Sequence, residues 1–271
     1  MNSPGANDPG LDSRDSPASC EIPEEVSDDA LLGGRVRLLQ PLAGYRAAID
    51  PVLLAAAIAP RSRARVLDAG MGVGAAALCL ARRVADITVT GIELQEPLAA
   101  LARRNIALNG VQGRVDVVLG DIAAPPDAIA RGGFDHVMVN PPYMERGQGH
   151  PPPETSRAAA HVEGRSSLDD WVKFALAMTK TKGDVTFVHR ADRLDDVLAA
   201  LHGRAGAITV LPIRSRSGRQ AKRVIVRARK GVSGPLQLLS ALIVHDAGGG
   251  YTSRAQDILQ EARALNFRDF C

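Results

Sequence analysis

From about Leu32 to Lys230 the chain repeats one pattern. A run of four to six apolar residues is followed by a polar or glycine-rich break, then by a longer stretch with apolar positions at helical spacing. "RVLDAG" (65–70), "ITVTGIE" (87–93), "RVDVVLGD" (114–121), "FDHVMVN" (134–140) and "DVTFVH" (184–189) read as strands. Between and after them, Gly74 to Val84, Glu96 to Asn109 (closed by Gly110), Leu168 to Thr181 (capped by Ser167) and Asp192 to Leu201 read as helices. Ahead of them "RVRLLQ" (35–40) predicts a short strand. "DPVLLAAAIAP" (50–60) predicts a helix with Asp50 as N-cap and Pro51 at its first position. "AITVLPI" (207–213) and "RVIVRAR" (223–229), joined by a short basic loop, predict a closing pair of strands. Alternating strands and helices of this length predict a doubly wound α/β fold: a seven-stranded, mostly parallel sheet, helices on both faces, and an antiparallel C-terminal edge hairpin.

Two segments break the rhythm. Residues 144–166 form a long Gly/Pro-rich connection, a length that in compact domains is usually functional or disordered. Residues 1–30 hold eight acids against Arg14 alone, with little apolar surface, and are expected to be a disordered acidic tail before a single domain over 31–271. At the other end of the chain the charge inverts. Residues 197–245 contain no acid and nine Lys or Arg, so the net charge of +3 averages an acidic start with a basic face. A basic face points to a polyanion partner. Cys20, Cys79 and Cys271 are far apart and no His stands at ligand spacing, so neither disulfides nor a metal site is expected. The longest apolar run, Val52 to Ala59, is too short to cross a bilayer, and the acidic N-terminus is unlike a signal peptide. A cytoplasmic protein with no membrane partner is the expectation; the oligomeric state is open.

"VLDAGMGVG" sets Asp68, Gly70, Gly72 and Gly74 at the end of a strand and the start of a helix. Open α/β sheets bind ligands there, because glycines let the backbone come close. The glycines alone also fit a relaxed dinucleotide fingerprint. Glu93 ends the next strand, where an acid can accept from two ribose hydroxyls, and Asp121 ends the third, where one can accept from an adenine amino group. Three acids at successive strand ends favour an adenosine-containing ligand. The set resembles the class I S-adenosylmethionine-dependent methyltransferases, whose fold is Rossmann-like. That resemblance implies S-adenosyl-L-methionine as cofactor. It sets Asp68 and Gly70 by the methionine part, Glu93 on the ribose and Asp121 by the adenine, with Gly72, Gly74, Leu94, Ile122 and Asn140 among the further cofactor contacts.

The fourth strand stops on Asn140, Pro141, Pro142 and Tyr143. The prolines end the strand and stiffen the corner. Asn140 Oδ1 and the Pro141 carbonyl are then two acceptors for one –NH2 group, whose nitrogen can pyramidalise as positive charge develops. Tyr143 offers a flat face for a planar substrate. No general base is needed, since the proton can leave after transfer. Asn-Pro-Pro-Tyr here resembles amino-methyltransferases acting on adenine N6 of DNA or RNA, guanine N2 of ribosomal RNA, or glutamine N5 of a protein. A noncatalytic RNA-binding protein on the same scaffold is the reading from another class.

Blocks outside that core narrow the resemblance. "GGRVRLLQPLAGYRAAIDPVLLAA" (33–56), "NPPYMERG" (140–147), "AAHVEGRSSLDDWVKFA" (159–175), "SGRQAKRVIVRARKG" (217–231) and "IVHDAGGGYTSRAQDIL" (243–259) are similar to the bacterial tRNA adenine-N6-methyltransferase family that modifies position 37 of a valine tRNA. The resemblance spans about residues 32–262. It implies Tyr45 and Asp50 near the cofactor, and the 144–166 loop and the basic hairpin facing tRNA. Independently, Arg214, Arg216, Arg219, Lys222 and Arg223 stand without an acid or an aromatic among them, a composition suited to phosphate contacts.

Overall fold

The computed structural model describes residues 25–43, 46–142 and 166–271. β1 (Val26–Leu31) and β2 (Val36–Pro41) form a separate antiparallel ribbon. After α1 (Ile49–Ala57) come β3 (Ala64–Ala69), α2 (Ala75–Arg83), β4 (Ile87–Glu93), α3 (Glu96–Leu108), β5 (Val115–Leu119) and β6 (Phe134–Val139). Beyond the 143–165 segment follow α4 (Leu168–Met178), β7 (Thr179–Arg190), α5 (Leu194–Leu201), β8 (Ala205–Arg214) and β9 (Ala221–Lys230). Short β10 (Gln237–Leu238), β11 (Leu242–Ile243) and α6 (Ser253–Leu259) follow, with a 3₁₀ turn over Phe267–Phe270.

The main sheet runs β10-β8-β9-β7-β6-β3-β4-β5, with β11 also on β8. Among its described strands only β9 runs against the rest, paired antiparallel with both β7 and β8. β3 to β9 are the seven strands that the periodicity predicts. The two-residue β10 and β11 add themselves to β8, so the β8–β9 hairpin is not the outermost element. β3 is the turning point of the winding, with β4 on one side and β6 on the other. Apolar layers cover both faces. Val66 packs with Leu54, Leu78 and Leu101 from α1–α3, while its neighbour Leu67 packs with Trp171, Phe174 and Leu201 from α4 and α5. Strands covered on both faces read as unbroken apolar runs, which is why they were legible.

Four sequence expectations change. The tail expected over 1–30 ends earlier: Val26 to Leu31 pairs with Val36 to Pro41, Asp28 forms an ion pair with Arg37, and Asp29 with Arg46 at 2.6 Å. Residues 1–24 lie outside the described part. Asp50 is not a cap. The N-cap is Ala48, without a side-chain cap, and Asp50 is a buried residue of the first turn. The helix expected to Thr181 stops at Met178, and β7 starts at Thr179, where backbone ψ turns to 138°. The Thr179 carbonyl accepts from Lys230 Nζ at 2.7 Å, and Phe134 pairs with it across β6, so sheet contacts win over helix propensity. The helix expected from Asp192 begins as a 3₁₀ turn (Ala191–Arg193) before α5. Ser167 does cap α4 as expected. Its hydroxyl accepts from Asp170 N, and the Asp170 carboxylate accepts from Ser167 N at 2.9 Å, a reciprocal capping box.

Candidate active site

Parallel strands bring their carboxyl ends to one edge, and register sets which residues meet there. Asp68 and Ala69 stand opposite Gly91 and Ile92 of β4 on one side, and opposite Met138 and Val139 of β6 on the other. Gly70 and Asn140 are the residues that follow this last pair, Ala69 and Val139, so both leave the sheet at the same edge. Glu93 pairs with Leu119 at the end of β5, two residues before Asp121. Asp68, Gly70, Glu93, Asp121 and Asn140 thus share one rim.

The glycine-rich loop is clamped from three sides. Gly70 N and Met71 N both donate to the Ile92 carbonyl at 3.0 Å. Gly70 has φ +71° and lies under the Trp171 ring, where a Cβ would come to 2.7 Å of the indole. Met71 folds over Gly91, whose missing side chain makes the room: a Cβ there would stand 2.0 Å from the sulfur. Asn105 of α3 is wholly buried and holds the far side of the loop. Its Nδ2 donates to the Val73 and Leu39 carbonyls, both at 2.9 Å, and its Oδ1 accepts from Leu39 N at 2.8 Å. Gly72 and Gly74 also have positive φ, and Gly74 is the N-cap of α2.

The acids differ in state. Asp68 is 2% exposed, and its Oδ2 has no hydrogen-bond partner among the described residues. Burial pushes its carboxyl up to about 7, with the nearby Glu93 charge adding to the rise and a hydrogen bond from Ala77 N opposing it. A buried, half-satisfied acid of this kind is suited to receiving a cation. Glu93 is also buried, and burial raises it above the usual carboxylate range. One oxygen accepts from Gly72 N at 2.7 Å and the other from Gln95 N at 2.9 Å. Each oxygen keeps a lone pair for a ligand hydroxyl. Asp121 is half-buried and accepts from Ala123 N at 2.8 Å. Leu94 is 37% exposed beside Glu93, and Ile122 is half-buried beside Asp121.

Asn140 is half-buried, Pro141 is buried and Pro142 half-buried. Tyr45 and Tyr143 lie outside the described residues, as does most of the 144–166 loop. Arg214, Arg216, Arg219 and Lys222 are exposed, at the same carboxyl edge, two and three strands from β6. Arg223 differs. It is half-buried, and its Nε stands 2.8 Å from Asp50 Oδ2, which ties α1 to β9 at the rim. The 243–259 block joins this edge too: Val244 N and His245 N donate to the Arg214 and Ser215 carbonyls at 2.9 and 2.8 Å. His245 and Tyr251 stack there at 5.2 Å.

Sequence reasoning missed Trp171, Asn105, Gly91, and the Asp50–Arg223 pair. One signal was available for Asn105, a lone amide on the apolar face of a helix. For Trp171, 101 positions from Gly70, and for the pair, 173 positions apart, no local signal exists.

Known proteins resemble this chain at both levels. Residues 48–152 match the family model of the methyltransferase small domain. A protein of Aeromonas hydrophila subsp. hydrophila, named tRNA1(Val) (adenine(37)-N6)-methyltransferase, is 30% identical over 214 residues, covering 76% of this chain and 84% of that one. Its namesake in Aeromonas salmonicida is 29% identical over the same shares. Among solved structures, one described as a predicted O-methyltransferase from Agrobacterium tumefaciens superposes with TM-score 0.67 at 27% identity, over 80% of this chain and 98% of that one.

Proposed function

The chain belongs to the S-adenosylmethionine-dependent methyltransferase family of these relatives, and we propose that it methylates an exocyclic amine of RNA, adenine N6 of a tRNA. S-adenosylmethionine supplies an electrophilic methyl group on a sulfonium. The chain's own residues do the rest, and the rim fits that cofactor. The unpartnered Asp68 oxygen suits the ammonium of the methionine part. The two Glu93 oxygens, oriented by the backbone N–H groups of Gly72 and Gln95, suit a pair of ribose hydroxyls. Asp121 suits an adenine amino group, with Leu94 and Ile122 as apolar walls. The Asp50–Arg223 pair fixes α1 at the mouth.

The observation that supports the acceptor reading is the β3–β6 register, which pairs Ala69 with Val139 and so brings the residues after both strands, Gly70 and Asn140, to one edge. An amine held by Asn140 Oδ1 and the Pro141 carbonyl would then sit beside the cofactor loop. Gripping both hydrogens directs the nitrogen lone pair and stabilises the positive charge that forms on transfer. The prolines keep both acceptors in place, Tyr143 stacks on the base, and the proton leaves afterwards to water. An unpaired nucleotide reaches such a pocket more easily than a stacked one. Exposed Arg214, Arg216, Arg219 and Lys222 lie roughly 10–15 Å from β6 by strand spacing, a reach suited to phosphates flanking the target base.

The test is Asn140→Ala. It is expected to retain cofactor affinity and to lower kcat about 10²–10³-fold, as when one preorganised polar contact is lost. Loss of cofactor affinity in equal measure would remove Asn140 from the acceptor side.

A further inference from the structure

The opposite edge of the sheet holds a second feature, which the methyl-transfer reading does not use. Where the parallel strands begin, an open cavity of about 890 Å³ lies between the turn before β3, the starts of β6, β7 and β8, and the end of β9. Its volume is within the range of small-molecule sites. Two carboxylates line it, and both are engaged. Asp135 holds Lys180 at 2.7 Å, and Asp184 stands 3.8 Å from both Arg229 and His136. Arg61, Arg63, Lys182 and Arg227 remain, with no ion pair within 4 Å to a carboxylate among the described residues, though the Asp184 charge acts on Arg227. The cavity therefore carries a surplus of positive charge.

Arg227 is the informative member. It is half-buried, its guanidinium stacks on the Phe267 ring at 4.2 Å, and burial holds it below its ordinary value. The Asp184 charge acts on it without a direct ion pair, so this desolvated guanidinium is free to meet a further anion, and its planar fork matches phosphate oxygens. The backbone is also unusual here. Of the five non-glycine residues with positive φ among the described residues, three line this cavity: Arg63, Lys182 and Ala207. Left-handed backbone at residues with a Cβ is strained and gathers at ligand sites.

We propose that this cavity is a phosphate-binding site for a small polyphosphate, the di- or triphosphate group of a nucleotide, on the edge of the sheet remote from methyl transfer. Arg227 and Lys182 are its central contacts, and Arg61 and Arg63 close its rim. The size of the cavity and the half-buried position of Arg227 at its floor favour a small ligand whose phosphates reach past the exposed Arg61, Arg63 and Lys182 over the backbone of a large RNA.

The test uses the full chain and inorganic tripolyphosphate as probe, read by calorimetry, alongside RNA affinity and cofactor affinity. Tripolyphosphate is expected to bind, and each of Arg227→Met and Lys182→Ala to weaken it by about tenfold or more, the scale of one charge-assisted contact. Cofactor and RNA affinity are expected to be unchanged, which also shows that the variants are folded. Absence of tripolyphosphate binding to the unmodified chain overturns the proposal. So does a result in which both variants lose RNA affinity and salt dependence while tripolyphosphate binding stays the same, because the cavity would then belong to the RNA interface.

Discussion

Asp68→Asn keeps the shape of the side chain and removes its ionisation. Asp68 titrates near 7 in the folded chain against 3.8 for a free carboxyl, because it is buried. Between those values the folded state holds a proton that the unfolded state has released. Stability therefore falls as pH rises through the window, and levels off above about 7. The displacement corresponds to about 4 kcal/mol, at about 1.4 kcal/mol for each tenfold change in proton affinity. Water entering the site would lower that figure, so it is an upper bound. The asparagine amide can keep accepting from Ala77 N, but its –NH2 takes the place of the unpartnered oxygen, a constant penalty at every pH. The assay is urea denaturation of the cofactor-free chain and the variant, at steps from about pH 5 to about pH 8. Other titrating groups are common to both proteins, so the difference between their curves isolates Asp68. The variant is expected to gain on the parent by a few kcal/mol across that range and to lose cofactor affinity. A difference that stays flat with pH would show that Asp68 is solvated or paired, and would refute the reasoning about its burial.

Three further outcomes are expected. Asn105→Ala leaves the Val73 carbonyl and both backbone groups of Leu39 without their partner, so a loss of roughly 3 kcal/mol in denaturation is expected, at about 1 kcal/mol per unmet buried group; a loss near zero would mean that the loop is held elsewhere. Replacing Arg214, Arg216, Arg219 and Lys222 by alanine is expected to weaken RNA binding and flatten its dependence on salt; an unchanged slope in filter binding would take the hairpin out of the interface. Removing residues 1–24 is expected to leave the melting temperature within a degree or two, whereas removing 1–31 deletes β1 and its pairing with β2 and is expected to lower it; equal effects would contradict the boundary.

What could be read from the sequence divides by distance along the chain. β3, β4, β5 and β6 were legible because each is a short, largely apolar run that stops at a glycine, an acid or an amide. Asp68, Glu93 and Asn140 were legible as candidates because each is the polar residue at which such a run stops. β1 was not. "VSDDAL" reads as an acidic tail until Arg37 and Arg46, 9 and 17 positions on, are known to meet its aspartates. Asp50 before proline has the local look of a cap, and only the arrival of Arg223 on β9 gives it another role. Thr179 to Thr181 was misread for a related reason. The residues suit either element, and the pairing of β7 with β6 and β9 decides.

The most direct measurement incubates the protein with labelled S-adenosylmethionine and, separately, tRNA, ribosomal RNA, DNA and a glutamine-bearing protein acceptor, then digests each and identifies the methylated product. The account predicts label in tRNA, recovered as N6-methyladenosine, and its disappearance with Asn140→Ala. Label recovered as N2-methylguanosine, or in the protein rather than in tRNA, would contradict it.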